Sequence, residues 1–170
     1  MATRRKPLRI GRLVALAAAV AAATIYAGSS SSTAKSGVAG ARHVLKGATV
    51  QTKNIKGLGT VLVNSRGLTL YMFVPDKQRR VTCRRTCAAI WPPLKIKAGQ
   101  KPTAGGAARK ALLGTDRVLG GGRVVTYNRW PLYTYVIDTK PGQAKGQRVN
   151  NSGGLWYVLS PSGKVIKKKP

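Results

Sequence analysis

Apolar and polar positions form two similar blocks in this chain, and each block reads as a β-hairpin. In the first, Thr60-Val61-Leu62-Val63-Asn64 is apolar and β-branched, Ser65-Arg66-Gly67 turns the chain, and Leu68 to Val74 returns it. Period-two geometry puts Tyr71 and Phe73 on one face of the returning strand and Leu70, Met72 and Val74 on the other. Both faces are apolar, which predicts a strand covered on both sides. Pro75 cannot donate to a ladder, so it ends the strand and leaves Asp76 in the following turn. In the second block, Val124 to Tyr127 is a strand, Asn128-Arg129 a tight turn and Leu132 to Val136 the returning strand. Arg129 stands where a type I′ turn favours glycine, so it must tolerate a positive φ or the loop must lengthen. Leu155 to Ser160 reads as a last strand. Between the blocks lie a stiff extended piece (Ile90-Trp91-Pro92-Pro93-Leu94), a Gly- and Lys-rich connector and a short helix over Ala107 to Leu113, stopped by Gly114.

The two returning strands carry one pattern, Tyr-x-aromatic-x-x-Asp. Tyr71, Phe73 and Asp76 recur as Tyr133, Tyr135 and Asp138, 62 positions on. Each copy leads, 15 or 18 residues after its aspartate, to a tryptophan, Trp91 or Trp156. This is an internal duplication. The chain has only three acidic residues, and two of them close the two copies, which points to a specific role at that place.

The first 27 residues look like an export signal. Arg4, Arg5, Lys6, Arg9 and Arg12 form a basic start, and Leu13 to Ala27 is an Ala-rich apolar run of 15, shorter than the roughly 20 residues of a spanning helix. Thr3-Arg4-Arg5-Lys6-Pro7-Leu8-Arg9 resembles a twin-arginine export motif; an uncleaved anchor is the alternative. Residues 28–54 are rich in Ser, Gly, Ala and Lys and read as a flexible basic tether that includes His43, the single histidine. The duplicated domain is expected over 55–163, with a basic tail at 164–170. An exported chain with two cysteines should pair them, so Cys83 and Cys87 are expected to form a disulfide across one helical turn.

These residues resemble a bacterial family of secreted repeats of unknown function, lipoprotein-like proteins with a Tyr-x-(Phe/Trp/Tyr)-x-x-Asp motif. The matching pieces are Leu70 to Asp76; Cys83-x-x-x-Cys87 with Trp91-Pro92-Pro93-Leu94; Thr126-Tyr127-Asn128-x-Trp130-Pro131-Leu132-Tyr133; and Gly154-Leu155-Trp156-Tyr157-Val158-x-Ser160-Pro161. They cover about residues 57–163 in order. The chain departs from the family in lacking a lipobox cysteine and in carrying Asn128-Arg129 for the usual Asn-Gly. The resemblance implies an exported envelope protein and supplies no reaction.

The residues give catalysis little to work with. Glu is absent, the one histidine is in the expected tether, and neither a metal-ligand cluster nor a nucleotide-binding glycine fingerprint is present, so no catalytic residue, metal or cofactor is expected. Asp76 and Asp138 are either turn acceptors and ion-pair partners or a paired binding site. Trp91, Trp130 and Trp156, with the tyrosines, are either core or a stacking platform for sugars. Net charge is +28, from 31 Lys and Arg spread along the chain. Charge of that size makes non-specific nucleic-acid binding expected; for an exported protein the natural partners are anionic wall polymers or membrane surfaces. The sequence therefore predicts one all-β domain, a small sandwich or barrel made from two related hairpin units, acting as a monomeric, non-catalytic exported envelope protein. The alternative is a small-molecule or carbohydrate-binding module that uses an aromatic face.

Overall fold

The computed structural model describes residues 49–76, 80–118 and 121–170. The expected signal, His43 and the tether as far as residue 48 lie outside the described residues. The fold is mostly β, built from several small antiparallel sheets. In chain order the strands are β1 (Val50–Ile55), β2 (Gly59–Asn64), β3 (Tyr71–Phe73), β4 (Lys95–Ile96), β5 (Leu113–Arg117), β6 (Arg123–Tyr127), β7 (Trp130–Pro131), β8 (Asn150–Asn151) and β9 (Gly154–Val158). One short helix, α1 (Thr86–Ile90), precedes Trp91.

The duplication extends further than the two hairpins. β1 pairs with β2 from Val50↔Asn64 to Ile55↔Gly59, and β5 pairs with β6 from Leu113↔Tyr127 to Arg117↔Arg123. Each unit thus begins with an extra strand lying against its first hairpin strand. The expected hairpins are both present: Leu70 N–H donates to Leu62 O in one, and Leu132 N–H donates to Val125 O in the other. Asn128 and Arg129 both take positive φ, 46° and 71°, so the second turn stays at two residues and the arginine carries the strain.

The units are interleaved. β9, at the end of the second, pairs with β3 of the first, Trp156 opposite Phe73 and Val158 opposite Tyr71. The first unit's final stretch does the reverse: Pro93 bridges Tyr133, and β4 pairs with β6. At the junction Tyr71 and Tyr133 exchange backbone hydrogen bonds in both directions, at 2.8 and 3.0 Å. Each unit's last strand therefore completes the other unit's sheet, and neither has a whole core of its own.

The strand faces sort the core into two clusters. Tyr71, Phe73, Trp91, Tyr133 and Trp156 pack with Val61, Val63 and Val158 on one side. Leu70, Met72, Leu132 and Tyr127 pack with Leu62, Val125 and Leu159 on the other. This is the two-sided coverage that the alternation predicts.

Several expectations need correction. Residues 50–54, assigned to a tether, form most of β1; Val50 is fully buried, and its β-branched neighbours suit an edge strand despite the lack of large apolar groups. The helix expected over Ala107 to Leu113 is a single 3-10 turn at Lys110–Leu112 followed by β5. Gly114 lies inside that strand, where a Cβ would meet Thr126 Oγ1 at 2.8 Å, so it serves close approach rather than a helix stop. The returning strands are also shorter than expected: Val74–Asp76 is a 3-10 turn, and Val136 and Ile137 lie in an exposed turn.

Cys83 and Cys87 form the expected disulfide, with Cα atoms 5.2 Å apart. Cys83 precedes α1 rather than sharing a helical turn with Cys87, because Arg85 between them takes φ 49°. Residues 164–170, expected as a tail, are tied to the domain. Ile166 N–H donates to Val158 O, and the Gln147 side-chain amide donates to Ile166 O and Lys168 O.

Candidate functional site

The two motif copies meet where the units interleave, and their polar ends are exchanged. Tyr71 O–H donates to Asp138 Oδ2 at 2.5 Å, and Tyr133 O–H donates to Asp76 Oδ2 at 2.6 Å. Each tyrosine finds the aspartate of the other copy. The second carboxylate oxygen is bound within its own unit: Asp76 Oδ1 accepts from Thr82 N–H and Thr82 Oγ1–H, both at 2.7 Å, and Asp138 Oδ1 accepts from Lys145 N–H at 2.9 Å. The aspartates thus close the loop that follows each motif and fasten it to the opposite unit.

All four side chains are buried: Tyr71, Tyr133 and Asp76 are 0% exposed and Asp138 2%. Burial pushes the Asp76 carboxyl up, against the hydrogen bonds from Tyr133 and Thr82, which favour the anion. Both tyrosine hydroxyls are pushed far above their ordinary range. For Tyr71 the causes are burial, then the hydrogen bond to Asp138 and its charge; for Tyr133 they are burial, then the charge of Asp76 and the hydrogen bond to it. Each phenol thus stays protonated and donates to its carboxylate.

The aromatic rings follow the same exchange. Phe73, Trp156, Trp91 and Tyr135 form one continuous stack, with successive centroids 4.2, 3.9 and 4.0 Å apart. Each outer ring belongs to the copy opposite the tryptophan it covers. Tyr71 meets Trp91 edge-on at 5.5 Å, and Tyr133 meets Trp156 likewise at 5.2 Å. Trp91 and Trp156 are wholly buried, so they sit in the core, and a stacking platform would have no open face at either of them. Trp130 is half-buried against the second cluster. Among the stacked rings only Tyr135 retains partial exposure.

Other residues complete the arrangement and carried no signal in the sequence. Gly146 N–H donates to Tyr71 Oη, and a Cβ at Gly146 would lie 2.7 Å from Trp91 and 2.9 Å from Tyr71. It is a required gap against two rigid rings. Thr82, an ordinary loop residue in the sequence, supplies two of the donors to Asp76. Among the described residues no group of three or more His, Cys, Asp or Glu is placed to hold a metal ion.

Outside this centre, charge is positive almost throughout. Asp76 and Asp138 are withdrawn into the core, and Asp116, on β5, is half-buried and engaged by other groups. Every described lysine and arginine except Arg123 is exposed. No described helix is long and apolar enough to cross a membrane.

The model of a family described as a secreted repeat of unknown function matches the chain twice, at residues 52–95 and 115–160, together just over half its length. The two matches coincide with the two interleaved units. No curated protein and no solved structure matches the chain.

Proposed function

The chain belongs to the family of secreted repeats of unknown function, and from that premise we propose that it is a non-catalytic envelope protein held at the cell surface by attraction to anionic polymers. The observation that carries this reading is the sorting of charge. The two motif carboxylates are spent inside the fold, while the lysines and arginines stand outside with little counter-charge. A surface of that kind concentrates polyanions and releases their counter-ions on contact. The buried Tyr–Asp pairs and the closed ring stack act as the structural lock of the domain. The basic start and short apolar run of residues 1–27 support export by a signal, and Arg4-Arg5 supports the twin-arginine route.

The test is retention on anionic cell-wall fractions at two salt concentrations. Retention at 50 mM salt should be lost by about 500 mM, since binding through several released counter-ions falls by orders of magnitude over a few-fold rise in salt. Retention that persists in high salt and is competed by neutral sugars would replace this reading with carbohydrate stacking.

A further inference from the structure

The disulfide loop of the first unit forms one wall of a two-lobed basic cleft. One lobe, of about 540 Å³, is bordered by Arg84, Arg85 and Lys95 over an apolar floor that includes Val81, Pro93 and Val118. The other, of about 550 Å³, is bordered by Arg80, Arg84 and Arg117. Val81 and Arg84 border both, so the two lobes are neighbours on one face of the molecule. All five cations are exposed, and no carboxylate is among the described residues lining either lobe.

Two features mark the cleft as more than surface charge. Arg84 is anchored, its Nε–H donating to Val81 O at 3.1 Å, which leaves the rest of its guanidinium to face both lobes. Arg85 takes φ 49° and ψ −117°, a conformation in which glycine is at ease and a side chain is strained. The Cys83–Cys87 bridge spans this residue and holds it. Glycine would suit that backbone better, yet the position carries a guanidinium that borders the cleft.

The geometry points to this cleft as a binding site for a phosphodiester-linked polyol or sugar polymer, with successive phosphates in the two lobes and the uncharged spacer over the apolar floor. Arginine forks match phosphate oxygens in pairs. Two cationic lobes joined at one shared arginine suit two anions on one flexible chain better than a single isolated anion. The inference rests on the electrostatic reading above and gives it a place on the molecule.

The probe is a glycerol-phosphate oligomer, titrated calorimetrically into the exported protein at one fixed salt concentration. Arg84→Gln/Arg85→Gln/Lys95→Gln is compared with Lys167→Gln/Lys168→Gln/Lys169→Gln, which removes the same charge from the C-terminal segment. The cleft variant should bind about tenfold or more weakly than the C-terminal variant, because it loses charge-assisted hydrogen bonds rather than diffuse attraction. Arg85→Gly supplies a variant whose fold is relieved rather than burdened: melting should be unchanged or raised while affinity falls several-fold. Equal loss in the two triple variants would overturn the cleft and leave the electrostatic reading standing. A parent protein that binds neither the oligomer nor anionic vesicles, even at low salt, would remove both. Cleft-dependent binding to phosphatidylglycerol vesicles without binding to the free oligomer would overturn the polymer in favour of a lipid surface.

Discussion

If the reciprocal Tyr–Asp bonds lock the units together, their strength is measurable across the junction. The perturbation is a double-mutant cycle on Tyr71→Phe and Asp138→Asn. Tyr71→Phe removes the 2.5 Å bond to Asp138 and also strands the buried Gly146 N–H, which donates to the same oxygen. Asp138→Asn keeps an oxygen for Lys145 N–H at 2.9 Å but can present an amide N–H₂ toward Tyr71. A hydrogen bond to a charged group contributes about 1.5–3 kcal/mol, and an unsatisfied buried group costs about 1–3 kcal/mol more. The Gly146 penalty occurs in both the Tyr71→Phe single and the double variant, so it cancels in the cycle and leaves a coupling of about 1.5–3 kcal/mol. For a domain of this size, each kcal/mol lowers Tm by about 4 °C. The same cycle on Tyr133 and Asp76 should give a similar coupling through their 2.6 Å bond. Tyr71 with Asp76, close in sequence but each hydrogen-bonded to the other copy, is the control; its two changes should add to within about 0.5 kcal/mol. Thermal and urea unfolding of the full cycle supply the numbers. Coupling within a copy rather than across copies, or single variants that melt like the parent, would refute the lock and return the aspartates to ligand binding.

Three further outcomes are expected. Alkaline pH should destabilise the domain: Tyr71 and Tyr133 have folded pKa values raised above the unfolded value of about 10, so stability is full below that pH and falls as pH rises past it. The limiting slope for two retained protons is about 2.7 kcal/mol per pH unit, and a Tyr71→Phe variant whose Tm–pH slope matches the parent's above pH 10 would contradict it. Gly146→Ala should cost about 1–3 kcal/mol or more, because its methyl group would overlap Trp91 and Tyr71, and urea unfolding that shows no loss would mean these rings yield easily. Residues 49–97 and 98–170 expressed separately should each fail to give a cooperatively melting monomer, since each lacks its partner's final strand; calorimetry with sedimentation would expose a half that folds alone.

The hairpins and the two-sided burial of the motif strands were legible because alternation reports which side chains share a face. Alternation does not report which strand lies opposite, and that is why the exchange of Tyr71 to Asp138 and Tyr133 to Asp76 was not. The aspartates stood out only because acids are so scarce in this chain. β1 is hard to read in the sequence because Val50-Gln51-Thr52-Lys53-Asn54-Ile55 carries apolar groups only at its two ends, and its ladder is supplied by β2. Gly146 acts through an absent side chain and Thr82 through a backbone N–H and a hydroxyl, features that look ordinary in any loop. The Ala107–Leu113 stretch has helix-forming composition, but β6 offers Leu113 to Arg117 a complete ladder and extended pairing prevails.

The exchange has the form of a symmetric dimer contact enclosed in one chain. Across a two-fold dimer each surface must present both halves of every contact, as Tyr71 and Asp76 do toward Asp138 and Tyr133. Two separate copies would have to find each other at the cost of their translational freedom, about 4–15 kcal/mol. The connector from β4 to β5 turns that encounter into a folding step at an effective concentration in the millimolar range. Dilution, which dissolves a dimer, therefore has no hold on this junction, and a secreted protein meets dilution as soon as it leaves the cell.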